Sequence, residues 1–262
     1  MLRQRILSAV VLIPLVALIA YLGGYVWLGA ISLVGALAAL ELFRMLREGG
    51  HQPAASLGLI GVLLWIASSA PWLAWRADVL LALSTVSTLT YFVLRPTARR
   101  ATDWAWTLAG ILYLGPLLAP FVALRMQPNG LLWLALGVLT TWITDSGAYF
   151  VGITFGRHKL APRLSPKKTW EGAIGGWVVG VLGGGLLGMW LVDLSAPVAF
   201  ALAGVLCVLA PLGDLAESMI KREIGVKDSG HLIPGHGGML DRIDSLLFVI
   251  PATYYAALWL GM

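Results

Sequence analysis

"WEGAIGGWVVGVLGGGLLGMWLV" (Trp170 to Val192) carries one charged side chain, Glu171, and that lies next to its start. As a helix rising 1.5 Å per residue the stretch reaches about 34 Å, enough to cross the ~30 Å hydrocarbon core of a bilayer. It has no polar stripe, so it is not the amphipathic surface helix of a soluble domain. Gly172, Gly176, Gly180, Gly184 and Gly188 recur every fourth residue and share one helix face. A face of small residues admits another helix closely, either within the chain or across a homodimer.

The rest of the chain has the same character. Of its 262 residues, 59% are hydrophobic and only 12% charged, with 12 Trp; the mean hydropathy is +0.85. A soluble domain carries about 25% charged residues, so bilayer lipid is the expected solvent. The single Cys207 excludes an internal disulfide and a cysteine-built zinc site. The N-terminal apolar run lacks a small-residue cleavage site and reads as an uncleaved first helix.

Apolar runs predict an all-α, polytopic membrane protein of about nine spans, near 6–23, 25–43, 54–74, 78–94, 104–124, 130–152, 170–192, 197–220 and 243–261. With the N-terminus cytoplasmic, the cytoplasmic segments hold every Lys and Arg except Arg76 and Arg125, as the positive-inside rule requires. The net charge of +5 then reflects topology and attraction to anionic lipid headgroups, with no nucleic-acid partner implied. Residues 1–128 are expected to be a lipid-facing scaffold. Residues 129–262 are expected to be the catalytic region, with cytoplasmic loops at 153–170 and 221–243.

Acidic residues inside spans are costly and mark candidate sites. Asp145 lies in "TTWITDSGAYF", and Asp214 and Glu217 lie in "APLGDLAESMIKRE". Glu41, near the cytoplasmic end of the second span, reads as an interfacial carboxylate or the partner of a nearby Arg. Asp214, Glu217, Ser218 and Lys221 fall at i, i+3, i+4 and i+7, on one helix face. Asp241, Arg242 and Asp244 open the last span. Paired carboxylates without a Cys or His set point to a hard cation such as magnesium; structural ion pairs with Lys221, Arg222 and Arg242 are the alternative.

Two loops carry most of the remaining polarity. "IPGHGG" (Ile233 to Gly238) has the glycine density of a turn whose amides approach phosphate, while His231 and His236 read as ordinary loop histidines. "GRHKLAPRLSPKKTWEG" (Gly156 to Gly172) is a basic receptor for a polyanion, with Thr169 as the N-cap of the glycine-striped helix.

"SMIKREIGVKDSGHLIPGHGGMLDRID" (Ser218 to Asp244) resembles the signature of the phosphatidate cytidylyltransferases, S-x-x-K-R-x4-K-D-x-G-x2-[LIF]-P-x-H-G-G-x-x-D-R-x-D, at every fixed position. "GDLAES", "SPKKTWEG" and "TDSGAYFVGITFGRHKL" also look like that family, so the resemblance covers roughly the C-terminal half. It implies the reaction CTP + phosphatidate → CDP-diacylglycerol + pyrophosphate, in phospholipid biosynthesis, with Mg2+ and with a second cation as an option. On that reading Asp214, Asp241, Lys227, Asp228 and Arg242 are catalytic. Ser165, Lys167, Lys168, Thr169, Glu171, Asp145, Lys221, Arg222, His236, Gly237 and Gly238 bind substrate, and Asp214, Asp241, Asp244 and Glu217 hold metal. The expected place is a bacterial inner membrane, with the site facing the cytoplasm.

Other classes fit less well. The CDP-alcohol phosphotransferases need an Asp-Gly dipeptide, which this chain lacks. A transporter would repeat its broken helices in two related halves, and the signature has no counterpart in the first half. No P-loop and no His-Glu-x-x-His sequence is present.

Overall fold

A computed structural model describes residues 2–73, 75–95, 97–226, 229–230 and 237–261. Among these, a helix occupies each of the nine apolar stretches: α1 (Leu2–Leu22), α2 (Gly24–Glu48), α3 (Ala55–Ser68), α4 (Ala77–Leu94), α5 (Arg100–Arg125), α6 (Gly130–Phe155), α7 (Trp170–Val192), α8 (Ala196–Ile224) and α10 (Leu246–Trp259). The four-residue α9 (Leu240–Ile243) precedes the last of them. One feature is not helical. Strands β1 (Lys159–Ala161) and β2 (Ser165–Thr169) pair antiparallel within the basic loop, with Lys159 opposite Thr169.

Among the described residues six helices (α2, α4, α5, α6, α7 and α8) are long and apolar enough to cross a membrane. The spans expected at 54–74 and 243–261 contract to α3 and α10, with 14 residues each, or about 21 Å. Large apolar side chains lie on the outside throughout, among them Leu94, Phe150, Trp190 and Trp259. Water would penalise such a surface and lipid does not.

The chain divides into two compact units. The first joins Met1–Met126 with Glu223–Arg242; the second joins Gln127–Arg222 with Ile243–Met262. Segment 223–242, expected with the catalytic region, therefore groups with the N-terminal helices.

In the first unit α2, α3 and α5 pack together because glycines clear the contacts. Gly58 and Gly110 both face the Phe43 ring, and Gly61 faces Ile111. The indole N–H of Trp27 donates to the Phe121 carbonyl at 2.8 Å. Arg125 closes the turn between α1 and α2 by donating to the carbonyls of Ala20 and Tyr21. Those carbonyls end α1 and lack intrahelical partners.

In the second unit the glycine stripe of α7 is filled from within. Gly172 and Gly176 lie against the backbone of α6 at Ala148 and Thr144, Gly180 against Thr144 and Cys207, and Gly184 against Thr140 and Ala203. The intramolecular reading of the stripe is thus the one realised, between α6 and α8. Leu206 and Ala210 of α8 form an apolar core with Val249 of α10.

Candidate active site

The basic loop is a hairpin because its ends are tied. Thr169 caps α7, its hydroxyl oxygen accepting the Gly172 N–H at 3.1 Å, as its position before the helix suggests. Glu171, on the first turn of α7, accepts the backbone N–H of Arg157 at 3.0 Å and contacts the His158 ring nitrogen at 2.6 Å. Both residues named as substrate ligands therefore hold the hairpin's shape. Arg222 fastens its tip to the end of α8, donating to the Leu164 carbonyl at 3.2 Å.

Adjacent residues in a strand point to opposite faces, so Lys167 and Lys168 part. Lys167 is exposed. Lys168 turns inward, and its ammonium lies 2.7 Å from Oδ2 of Asp214 on α8. The Ser218 hydroxyl donates to the other oxygen of Asp214 at 3.3 Å. One turn further along α8, the buried Lys221 and Glu217 pair at 2.7 Å. The face predicted from the i, i+3, i+4, i+7 spacing thus exists as a ladder of bonded groups. Ser165, at the start of β2, is half-buried.

Gly213 decides what else can approach. A Cβ there would meet the Asp244 carbonyl oxygen at 2.5 Å and Ser245 Cα at 2.9 Å. Only glycine lets the turn between α9 and α10 lie against α8, and that contact brings Asp244 into the field of Asp214. Asp145 of α6 feels both Lys168 and Asp214. Asp145, Asp214, Asp244 and Glu217 thus keep company with Lys168 and Lys221, four carboxylates to two ammonium groups in this cluster. Among the described residues no three His, Cys, Asp or Glu side chains converge in ligating geometry.

Asp241 belongs to the first unit and has partners of its own there. Its Oδ2 accepts the Ser229 hydroxyl at 2.8 Å, the Ser229 N–H at 3.1 Å and the Gly238 N–H at 2.9 Å. Glu41 of α2 accepts the N–H groups of Met239 and Leu240, each at 2.9 Å. Among the described residues Glu41 is thus engaged by backbone amides, with the Ser229 hydroxyl beside it, rather than by an Arg. Of the stretch Ile233 to Gly238, whose amides were expected to approach phosphate, the Gly238 N–H is committed to Asp241, and residues 233–236 lie outside the described residues. Gly237 adopts φ 82°, a conformation glycine takes without strain. Arg242 is exposed. Lys227, Asp228, His231 and His236 lie outside the described residues.

These helices and their charged centre define a polytopic membrane protein with polar chemistry mounted on its spans. Residues 3–260 match the pattern of the Cytidylyltransferase family, and the chain belongs to that family. It is a nucleotidyltransferase. The chain is 40% identical to a phosphatidate cytidylyltransferase of Pseudomonas aeruginosa, over 99% of this chain and 97% of that protein. It is 37% identical to one of Synechocystis, with 96% and 95% covered, and 36% identical to one of Bacillus subtilis, with 97% and 96% covered.

Proposed function

We propose that the chain transfers the cytidylyl group of CTP to phosphatidate, forming CDP-diacylglycerol and pyrophosphate, at the cytoplasmic face of a bacterial inner membrane. Similarity to phosphatidate cytidylyltransferases over nearly the whole chain supports this reading. The observation that carries it is the Lys168–Asp214 pair, which joins a basic hairpin suited to a water-soluble polyanion to a carboxylate seated on a membrane helix.

A phosphatidate oxygen would attack the α-phosphorus of CTP as the bond to the β-phosphate breaks and pyrophosphate leaves. The attacking phosphate is already anionic near neutral pH, so no general base is required. The work lies in positioning and charge neutralisation. Two unit negative charges 4 Å apart repel by about 4 kcal/mol at an effective dielectric of ~20. Lys167 and Lys168 oppose the charge on the departing pyrophosphate. Arg222 and Arg242 offer planar forks to phosphate oxygens, and Lys227 and Asp228 complete the set supplied by the signature.

The donor set suits magnesium. It consists of oxygens, and its excess negative charge calls for a divalent cation. Asp214, Asp244 and Glu217 of the second unit, and Asp241 of the first, are the carboxylates that the resemblance assigns to it, as ligands of one ion or two. When bound, it would screen the charge that builds between the two phosphates. The orientation belongs to the same proposal: nine spans, N-terminus inside, with all Lys and Arg but Arg76 and Arg125 on the cytoplasmic side. A homodimer would need a surface other than the glycine face of α7, which α6 and α8 already fill.

The test is product formation. Purified protein in detergent micelles, given CTP labelled at the α-phosphate, phosphatidate and magnesium, should yield labelled CDP-diacylglycerol. Label recovered only in CMP or unreacted CTP would sink the reading.

A further inference from the structure

We propose that Glu41, on a helix outside the resemblance that marks the C-terminal half, is the positioning residue for Asp241; this rests on the reading that Asp241 serves cytidylyl transfer. The two oxygens of Glu41 divide their work. Oε1 accepts the Met239 N–H and Oε2 the Leu240 N–H, both at 2.9 Å, which fixes the backbone just before Asp241. The Ser229 hydroxyl lies 2.8 Å from Asp241 Oδ2 and 3.3 Å from Glu41 Oε2. It carries one proton and donates to one oxygen at a time, so the shorter contact goes to Asp241 and Glu41 borders the same group. Gly230 and Gly238 close the arrangement. A Cβ on Gly230 would lie 3.0 Å from Glu41 Oε1, and one on Gly238 would lie 2.5 Å from Oε2. These two glycines of the signature therefore have a stated reason: they admit a carboxylate from α2.

Both termini of Glu41 accept from backbone donors, which sets the choice of variants. Glu41→Gln keeps the size but turns one acceptor into an N–H2 facing an N–H. Glu41→Asp keeps two acceptors on a shorter stem. Turnover per folded molecule should fall about 100-fold in Glu41→Gln, the scale of a misplaced catalytic group. The KM for CTP should stay within about threefold, because the loss falls on the transition state. Glu41→Asp should recover about tenfold of the lost kcat. Amide exchange at Met239 and Leu240 should speed up about tenfold or more in Glu41→Gln, reporting local opening. Glu48→Gln, on the same helix with its exposed carboxylate on Arg44, should change none of these.

Unchanged kcat in Glu41→Gln would overturn the proposal, whether exchange rises or not. So would a loss of activity that only tracks the folded fraction. If the wild-type protein forms no CDP-diacylglycerol, the proposed reaction falls on its own account. Exchange, which needs no turnover, then decides whether Glu41 fixes the loop: unaltered protection at Met239 and Leu240 would refute it.

Discussion

Lys168 on a β-strand and Asp214 on a membrane helix meet at 2.7 Å, with the two side chains 26% and 35% exposed. A pair this accessible contributes about 1 kcal/mol or less to stability. If it served the fold alone, Lys168→Ala would be a mild change. Lys168→Ala is expected to lower the melting temperature by only a few degrees while reducing kcat/KM for CTP about 100-fold or more. Lys167→Ala, at an exposed position on the opposite face of the strand, should cost less. Equal and small kinetic losses in both would return the hairpin to a topological signal.

The metal reading predicts a charge requirement. Turnover per folded molecule in Asp214→Asn and Asp241→Asn should fall at least about 1,000-fold, near the loss reported for removing one electrostatic stabiliser. Chelation should silence the wild-type enzyme and added magnesium should restore it. Near-normal turnover and an unshifted magnesium dependence in both variants would place these acids in structural ion pairs.

Gly213 gives a prediction with a definite sign. Gly→Ala inside a helix normally stabilises by up to ~1 kcal/mol, and Gly204→Ala should behave that way, since the nearest atom to its new Cβ would be 3.9 Å distant. Gly213→Ala pushes against backbone at 2.5 Å and 2.9 Å, so it should destabilise by about 1–3 kcal/mol, as overpacking does. Thermal melts of the two variants in the same detergent decide the point.

Reporter fusions check the orientation. Fusions after Arg47, Arg100 and Lys168 should report the cytoplasm, and those after Asp78, Arg125 and Asp193 the opposite side. A reversed report at either central loop would remove the nine-span topology.

The helices were legible because lipid imposes a strong constraint: residues such as Trp170 to Val192 have no other use for so continuous an apolar run. The α8 ladder was legible too, since helical spacing alone puts Asp214, Glu217, Ser218 and Lys221 on one face. The hairpin was not. "SPKKT" shows neither alternation nor β-branched enrichment, and it is held by Thr169 and Glu171 at its ends. The contacts of Glu41 were not legible because its partners are backbone amides 198 and 199 residues away, and a main-chain donor leaves no mark in the side-chain sequence. Gly213 is one glycine among 31 in the sequence, and only the fold shows that it makes room for the backbone of Asp244 and Ser245.

The first unit is discontinuous, and its last part arrives late. Glu41 emerges from the ribosome early, and the amides it binds follow only after the second unit's α6, α7 and most of α8 have been made. Until then α2 presents a carboxylate awaiting its bonds. The first unit therefore cannot be completed before most of the second has been made. A nascent chain arrested before residue 239 should hold α1 to α5 with the Glu41 anchor unformed, and the signature segment is what completes the first unit.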